Sequence, residues 1–584
     1  MKRISFLLFL ISLVFFPLFQ SCLHAPSGKA RRGEERVSAP TARKDERKIN
    51  SKAYFHFMAA QVKRNRGLLD EAMEEYEKAI SYDPESALLR LELSRLYISK
   101  GLMDKAVEQC LEAIALEPEN IDALLTLGGI YSAQQKPERA VEQYEKVLAL
   151  DPKNLHAFRY LSDLYYSAKE YTKAIDLLNR FVELEPDSIL GYYYLGRIYA
   201  EMEQFDEAEA NYLKALEIDS SFVSALNDLA TLYGVTKRPE EATEYFNRVL
   251  AVDPKNQRAR AGLGQIYMNK KQLDEAIRQF QEIEKLDSDN LNIRVMLGII
   301  YFEQKRYDEA ILEFRFVLAT TPDNHRIRYY LASTYLEKEA LIQALEEFGK
   351  IPPESDLYVD ARKNMAYILR NQDKTAQAVE TMREAIREKP QNAELRIYLA
   401  TLYERTEDFS EAIRVLEEAL SFDAENVEIL FQMGIVYDKD GDLEKTIEMM
   451  KSVIRKKPDH AEALNYLGYT YADRNMNLDE ALELIQRALE LKPESGYIVD
   501  SLGWVYYKKG DYERAIQELE RAVELTPDDP VINEHLGDGY LKLNEKGKAL
   551  GVYKRALQLD PKADQLEKLK EKIKALETEQ EGSI

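Results

Sequence analysis

Residues 121–154, IDALLTLGGIYSAQQKPERAVEQYEKVLALDPKN, contain the pattern that decides the fold. Leu124, Leu127 and Tyr131 recur three and four residues apart, so they share one face of a predicted helix. A second predicted helix has its own apolar face, made of Ala140, Tyr144, Val147 and Leu148. Pro152 ends this helix, because proline has no backbone N–H and restrains the residue before it. The stretch therefore predicts a helical hairpin.

The hairpin pattern recurs every 34 residues. An alanine in the second helix and a proline twelve residues later mark it at Ala72–Pro84, Ala106–Pro118, Ala140–Pro152, Ala174–Pro186, Ala242–Pro254, Ala310–Pro322 and Ala378–Pro390. After a slip of one residue it resumes at Ala481–Pro493, Ala515–Pro527 and Ala549–Pro561. A period of this length predicts a solenoid, in which each unit packs on its neighbours and no single large core is needed.

Small and aromatic residues hold fixed places in each unit. Gly128 and Ala140 stand where two helix axes must approach to about 8 Å. A tyrosine closes the first helix in 13 of 15 units, namely Tyr97, Tyr131, Tyr165, Tyr199, Tyr233, Tyr267, Tyr301, Tyr335, Tyr403, Tyr437, Tyr471, Tyr506 and Tyr540. We expect these rings to fill the gap between successive units, with the hydroxyls at the rim. The exceptions are few: Lys63 and Leu369 replace the tyrosine, and Thr446 replaces the alanine.

The pattern Leu-[Gly/Ala/Ser]-x-x-Tyr, Ala-x-x-x-[Tyr/Phe/Leu] and Asp-Pro resembles the tetratricopeptide repeat over residues 53–561. The resemblance implies an all-α, right-handed α-solenoid (superhelix) of about 15 repeats. Repeats 1–9 occupy residues 53–356 and repeats 10–15 occupy residues 357–561. Within 562–584, an apolar stripe predicts a C-terminal capping helix and is formed by Leu566, Leu569, Ile573 and Leu576.

Two local features, the acidic start of many second helices and the Pro352-Pro353 pair, lead to further predictions. Many second helices open with an acidic residue, such as Asp70, Asp274 and Asp308, which we expect to suit the helix dipole and to cap free amides. Pro352-Pro353 shortens the second helix of repeat 9, and is either a hinge between repeats 1–9 and 10–15 or merely a longer turn.

The N-terminus has the pattern of an export signal. Lys2 and Arg3 precede an apolar run over residues 4–19, which predicts a signal peptide over residues 1–21. The sequence Leu-Phe-Gln-Ser-Cys, ending at Cys22, resembles a bacterial lipobox and implies that Cys22 is lipidated. Two alternatives stay open: a transmembrane anchor, although 16 residues span only about 24 Å of a roughly 30 Å hydrocarbon core, and a plain secretory cleavage that leaves Cys22 as a thiol.

Residues 22–52 are predicted to be a flexible tether. Nine basic and four acidic residues lie in 23–52, without an apolar period. A plain tether is one interpretation and attraction of its positive charge to anionic lipid is the other. Leu23 after the lipidated cysteine implies, by resemblance to sorting in enteric bacteria, the inner leaflet of the outer membrane, facing the periplasm.

Composition and motifs argue against several functions. The net charge of −23 disfavours nucleic-acid binding. We find no phosphate loop, no metal-binding histidine pair and no nucleophile elbow, and so expect no catalytic residues, cofactor, metal or small-molecule substrate. Gly262-Leu263-Gly264 is better explained by helix packing than by a dinucleotide loop, and Cys110 is expected to be an inert core thiol. An enzyme remains only a third hypothesis.

In proteins with this repeat, the first helix of each unit lines a concave groove. Carried over, positions 2, 5, 9, 12 and 13 of each unit face inward, and aromatic and arginine side chains there make good anchors for protein partners. The candidate groove residues are Tyr193, Arg197, Tyr329, Asn465, Tyr469, Asp473, Tyr497, Asp500, Trp504 and Tyr507. For Tyr469, Trp504 and Tyr507, the alternative is packing against adjoining first helices. The Lys/Asn clamp of chaperone-binding relatives does not occur at matching positions.

The last three repeats are more distinctive than the others. Residues 464–474 (LNYLGYTYADR), 500–507 (DSLGWVYY) and 534–538 (EHLGD) look like those of bacterial tetratricopeptide lipoproteins. One type within that group is an outer-membrane adaptor for a periplasmic carboxyl-terminal processing protease that degrades cell-wall hydrolases. The alternative is an assembly lipoprotein for secretion, pilus or exopolysaccharide export. Both hypotheses describe a non-catalytic scaffold, attached to a membrane by lipid, that binds proteins.

Overall fold

Helices alone make up the regular structure of residues 50–581, the part of the chain that the computed structural model describes. The chain divides into two compact blocks, an N-terminal block that ends at Ile218 and a C-terminal block that begins at Asp219. The helices of the N-terminal block are α1 (Ser51–Asn65), α2 (Leu69–Tyr82), α3 (Ala87–Ser99), α4 (Met103–Leu116), α5 (Ile121–Ala133), α6 (Pro137–Leu150), α7 (Leu155–Ser167), α8 (Tyr171–Leu184), α9 (Ile189–Glu201) and α10 (Phe205–Ile218).

The C-terminal block continues the same series. Its helices are α11 (Val223–Val235), α12 (Pro239–Val252), α13 (Gln257–Asn269), α14 (Leu273–Leu286), α15 (Leu291–Glu303), α16 (Tyr307–Thr320), α17 (His325–Glu337), α18 (Leu341–Gly349), α19 (Tyr358–Asn371), α20 (Thr375–Glu388), α21 (Ala393–Arg405), α22 (Phe409–Phe422), α23 (Val427–Asp440), α24 (Leu443–Lys456), α25 (Ala461–Asp473), α26 (Leu478–Leu491), α27 (Gly496–Lys509), α28 (Tyr512–Leu525), α29 (Pro530–Lys542), α30 (Lys546–Gln558) and α31 (Ala563–Glu581).

The first thirty helices form fifteen hairpins, which confirms the predicted repeats. We call the odd-numbered member of each hairpin helix A and the even-numbered member helix B. Helices A and B touch closely at a small residue: a Cβ on Gly298 of α15 would lie 2.6 Å from Cε1 of Phe314 in α16. Gly264 has the same relation to Phe280, at 2.6 Å, so the packing interpretation of Gly262-Leu263-Gly264 is correct for this residue.

The tyrosine that recurs at the end of helix A has the predicted role at Tyr97 and Tyr301. Tyr97 is buried, and its hydroxyl donates to Oε1 of Glu77, in helix B of the preceding repeat, at 3.1 Å. The Tyr301 hydroxyl accepts from Gln281 Nε2, again in the preceding helix B, at 3.1 Å. At these two places the ring packs in the gap between two repeats while its hydroxyl reaches the rim. The Tyr403 hydroxyl differs, since it is buried and has no hydrogen-bond partner.

Helix capping differs from the prediction. Asp70, Asp274 and Asp308 lie in the first turn of their helices, but the cap residues before them make no side-chain hydrogen bond to the helix. The prediction that these aspartates cap free amides is therefore wrong, because each lies inside the helix, one residue beyond its first position. Helix A is capped instead: Asn120, for example, accepts from the backbone N–H of Ala123 at 3.0 Å. Aspartate does cap three B helices, where it stands just before the helix, at Asp408, Asp442 and Asp511.

An arginine recurs every 34 residues in helix A of five successive repeats, and in four of them it donates to a carbonyl oxygen of the turn before it. Arg260 and Arg328 donate to the carbonyl oxygens of Pro254 and Pro322, six residues earlier, at 2.8 and 2.6 Å. The series consists of Arg260, Arg294, Arg328, Arg362 and Arg396. The proline that ends one repeat thus supplies an acceptor for the next.

The Pro352-Pro353 turn follows an α18 of only nine residues. Ile351 is fully buried, and Arg362 Nη2 donates to the carbonyl oxygens of Gly349 and Ile351 at 3.3 and 3.4 Å. Apolar packing therefore continues across this turn within the C-terminal block. The hypothesis of a hinge here stays a prediction.

Helix α31 caps the last repeat, as predicted. Leu569, Ile573 and Leu576 are buried, and Leu566 is half-buried. Their stripe packs on the apolar cluster of repeat 15 around Tyr553. The last helix B is thereby covered, which an array of repeats needs at its end.

Several predictions concern residues outside the described range. The signal peptide (1–21), lipidated Cys22, and the tether up to residue 49 all lie there. Within residues 50–581, none of the helices combines the length and the apolar character that crossing a membrane requires.

Candidate protein-binding surface

Three successive A helices, α25, α27 and α29, carry the distinctive residues of repeats 13–15. Helix α27 contacts both α25 and α29. Gly468 and Gly503 bring α25 and α27 close to their own B helices, since an added Cβ would lie 2.6 Å from Ile485 and from Leu519. The faces turned away from the B helices meet one another, and we call positions 2, 5, 9, 12 and 13 of these three helices the A-face.

The centre of the A-face is a stack of rings around Trp504. The Tyr507 ring lies parallel to the indole at 4.7 Å, and the His535 ring lies nearly parallel to it at 4.1 Å. Trp504 is only 8% exposed, and its Nε1 atom is buried without a hydrogen-bond acceptor. The stack joins repeats 14 and 15, so the packing interpretation of Trp504 describes most of its ring.

A buried charge pair lies beside this stack. His535 Nδ1 is 2.9 Å from Oδ1 and 3.0 Å from Oδ2 of Asp500. Burial lowers the pKa of His535, but the carboxylates of Asp500, Asp538 and Glu534 together more than offset it and leave that pKa raised. The Tyr469 ring lies 6.4 Å from the His535 ring, and burial, followed by Asp473 and Asp500, raises the pKa of the Tyr469 hydroxyl. The pair and its neighbours span three repeats.

The rim of the A-face is open to solvent. Tyr497 is 59% exposed, and Val531 and Leu541 are exposed as well. Asp473 is exposed too; Lys508 Nζ lies 3.9 Å from its carboxylate and donates to its backbone oxygen at 3.1 Å. Asn465 is half-buried, with Oδ1 buried and without a donor. A partner could therefore bury apolar and aromatic surface at the rim without opening the core.

The structure brings together most of the predicted residues of repeats 13 and 14. Tyr469, Asp500, Trp504 and Tyr507 form one cluster with His535, while Asn465 and Asp473 lie on the same helix as Tyr469, and Tyr497 lies on the same helix as Trp504.

The other predicted residues stand apart from this cluster. In the N-terminal block, the guanidinium of Arg197 lies 5.9 Å from the Tyr193 ring. Tyr329, in repeat 9, is half-buried against Phe348 at 5.3 Å and accepts from Asn364 Nδ2 at 2.9 Å, and burial raises its pKa to about 12. Tyr329 thus contacts both helix B of its own repeat and helix A of the next.

Sequence reasoning missed His535 and Lys572, which pack beside the A-face. His535 is at position 6, which the groove rule does not include. Glu534 and Asp538 are at positions 5 and 9, which the rule does include, yet both are ion-paired with Lys572 of α31, at 2.7 and 2.6 Å. No repeat signal points to Lys572, because the capping helix lies outside the 34-residue pattern. Of the described residues, no group of three or more His, Cys, Asp or Glu could hold a metal ion.

Comparison with known families agrees with the hairpin series. Four family models, described as tetratricopeptide repeat or TPR repeat, match residues 66–115, 125–189, 187–255, 236–297, 301–362, 369–432, 431–496 and 503–544. Together these matches cover well over half of the chain. No curated protein matches the sequence.

Several solved structures are similar to the chain. Yeast Tom70 is 15% identical, over 91% of this chain and 96% of that one, with a TM-score of 0.35. A tetratricopeptide repeat protein from Parabacteroides merdae is 18% identical, over 43% and 98%, with a TM-score of 0.36. MamA is 27% identical, over 30% and 94%, with a TM-score of 0.27.

Proposed function

Since the chain belongs to the tetratricopeptide-repeat family, whose members are protein-binding scaffolds, we propose that it is a lipid-anchored, non-catalytic scaffold of the bacterial envelope. Its partners dock on the A-face of repeats 13–15. The sharpest form of the proposal is an adaptor that holds a periplasmic carboxyl-terminal processing protease near its cell-wall hydrolase substrates.

The arrangement of the A-face is the observation that supports this proposal. Rigid stacked rings support an exposed rim, with Tyr497 protruding beside the buried Asp500–His535 pair. Large side chains held in place bury surface at little entropic cost, which is how binding hot spots work. The three-repeat cluster also fixes the rim residues relative to one another before a partner arrives.

The anchor in the proposal is Cys22. A diacylated cysteine gives firm attachment where one acyl chain would not, and the predicted tether would let the repeats move relative to the membrane. Mass spectrometry of the mature N-terminal peptide tests this step. An acylated Cys22 supports it; an unmodified thiol, or an intact residue 1–21 segment, contradicts it.

The partner is tested by capture from envelope extract with the unacylated mature chain as bait. A processing protease among the captured proteins supports the adaptor role. An outer-membrane pore or a polysaccharide-export component supports the assembly alternative. Capture of neither class of protein would contradict both hypotheses.

The binding surface is tested with variants that leave the core intact. Tyr497→Ser should reduce capture at least tenfold, because its exposed ring would lose contact with the partner. Leu312→Ser, which removes an equally exposed side chain on helix B of repeat 8, is the matched control. Equal capture by both variants and the wild type would place the partner elsewhere. Trp504 is unsuitable for this test, since its removal would also open the core.

A further inference from the structure

The first helix of the array, α1, exposes an apolar face that other repeats bury. Counted from residue 53, where repeat 1 begins, Phe55 and Val62 hold positions 3 and 10 of the repeat. In repeats 2–5 and 7–15, position 3 is buried every time, and position 10 is buried in all but one repeat, where it is half-buried. Helix B of the preceding repeat does the covering, as the contact of Gly191 with Phe181 and Val182 illustrates. In α1, Phe55 is 67% exposed and Val62 is 46% exposed.

The face is larger than these two positions. Met58, one turn along from Phe55, is 45% exposed, and Tyr54 beside it is 56% exposed. The outer face of a terminal repeat is normally polar, which keeps an array soluble. A contiguous aromatic and aliphatic surface at this end therefore indicates a docking site.

The distribution of charge along the chain indicates what kind of surface covers the apolar face of α1. The sequence has no acidic residue between Arg47 and Leu69, although Lys52, Lys63 and Arg66 lie there. Residues 22–68 hold 12 of the 80 lysines and arginines but four of the 103 acidic residues. Residues 69–584 hold 66 basic and 99 acidic side chains, a net charge of −33. An anionic surface attracts the first region and repels the second.

Some basic side chains of the α1 region are ion-paired within the repeats, and others are exposed to solvent. Lys63 is ion-paired with Glu75, and Arg64 with Glu92, within repeats 1 and 2. Lys52 and Arg66, at the two ends of α1, are exposed. The apolar face thus has an exposed cation near each end, and each can reach anionic headgroups while the apolar side chains between them insert.

The position of α1 in the chain also favours a membrane. Twenty-eight residues, 23–50, separate it from the proposed anchor at Cys22, and a tether of that length, as predicted from the sequence, would have a mean reach of about 30 Å. We propose that α1 lies on the anionic lipid surface, with Tyr54, Phe55, Met58 and Val62 inserted at the headgroup boundary. This inference rests on the proposed lipid anchoring, which brings α1 within reach of the bilayer.

The test uses the mature chain from residue 22, carrying Cys22→Ser so that no acyl chain contributes. Its binding to vesicles of phosphatidylcholine with 30% phosphatidylglycerol is compared with binding to pure phosphatidylcholine. We expect binding to the anionic vesicles, at least tenfold weaker in Phe55→Ser/Met58→Ser, and weakened by salt. Leu312→Ser/Ile342→Ser, which removes two comparably exposed apolar side chains elsewhere, should bind as the wild type does.

A second measurement separates the helix from the tether. In Phe55→Trp, fluorescence quenching by brominated lipid should show the new indole inside the bilayer interface. Absence of vesicle binding, equal binding by the Phe55→Ser/Met58→Ser variant, or no quenching would overturn the proposal. So would sedimentation showing that the face joins two copies of the chain, or binding of an acidic amphipathic peptide instead of lipid. Acylation of Cys22 and capture at Tyr497 are measured separately, so failure here leaves those results distinct.

Discussion

Single glycines set how closely the two helices of a repeat approach. At Gly298 the ring of Phe314 occupies the space that a side chain would need, with 2.6 Å to an added Cβ. At Gly551, in the interior of α30, no atom lies within 4 Å of an added Cβ. The same substitution should therefore have opposite effects at these two sites.

Gly298→Ala is expected to destabilise the C-terminal block by about 1–3 kcal/mol, the usual range for overpacking a core. Gly551→Ala should be neutral or stabilising by up to about 1 kcal/mol, because alanine favours the helix. Urea denaturation followed by circular dichroism measures both. If Gly298→Ala were as stable as the wild type, the close contact with Phe314 would not be a constraint.

His535 makes stability depend on pH. Its pKa is raised in the folded chain, where Asp500, Asp538 and Glu534 favour the charged ring against the effect of burial. The pair's contribution is then complete below the unfolded pKa of about 6.5 and is lost as pH rises through the higher folded value. Denaturation at a series of pH values from 6 to 9 should show this loss in the wild type and not in His535→Gln. A parallel decline in both chains would exclude His535 as its source.

At the scale of the element, the arginines of helix A show one position in two environments. Arg294 in α15 contacts Glu284 and Glu313 at 3.0 and 2.8 Å. Arg396 in α21 is buried, and its Nε and Nη1 atoms have no hydrogen-bond partner. Val415 stands in repeat 11 where Glu313 stands in repeat 8, and Glu418 of the same helix B attracts Arg396 only by charge, without an ion pair at contact distance.

Substitution by methionine should therefore give opposite signs. Arg294→Met is expected to destabilise by about 3 kcal/mol, because two carboxylates lose a partly buried partner. Arg396→Met should stabilise by about 1 kcal/mol, because an unpaired buried guanidinium is removed. The midpoint of urea denaturation measures each change. Loss of stability in Arg396→Met would mean that its contact with the Phe422 ring outweighs its missing partners.

The helices were predictable because each repeats a pattern that local physics interprets directly. Tyr131 and Ala140 specify a hairpin without reference to the rest of the chain, and they lie where the period places them. The capping of helix A by Asn120 is a local bond to Ala123 and was legible in the sequence, although it was not predicted. The arginine series was not anticipated because it depends on how one repeat meets the next. In the capping helix, the apolar stripe could be predicted from the spacing of its residues. The ion pair between Lys572 and Asp538 could not, because it depends on tertiary contact.

The candidate site was predictable in outline only. The groove rule selected Tyr469 and Trp504 from their places in the repeat, and the structure brings them together. The rule could not say that Trp504 is buried by His535 or that Tyr497 is exposed, because side-chain burial depends on neighbouring repeats. Nor could it find Phe55, whose importance comes from the absence of a preceding helix B within the described residues.

At the scale of the whole molecule, charge and sequence position separate two functions. The basic N-terminal region, from Cys22 through α1, suits attachment to a membrane, while the remaining residues carry the acidic charge. The A-face of repeats 13–15 lies near the other end of the sequence.

The most direct measurement of the central claim is photo-crosslinking in living cells. The photoreactive residue p-benzoylphenylalanine is placed at Tyr497 on the A-face or, as control, at Leu312 on helix B of repeat 8. We predict that position 497 crosslinks to one envelope protein and that position 312 does not. Crosslinks of equal yield from both positions, or none from position 497, would contradict the account.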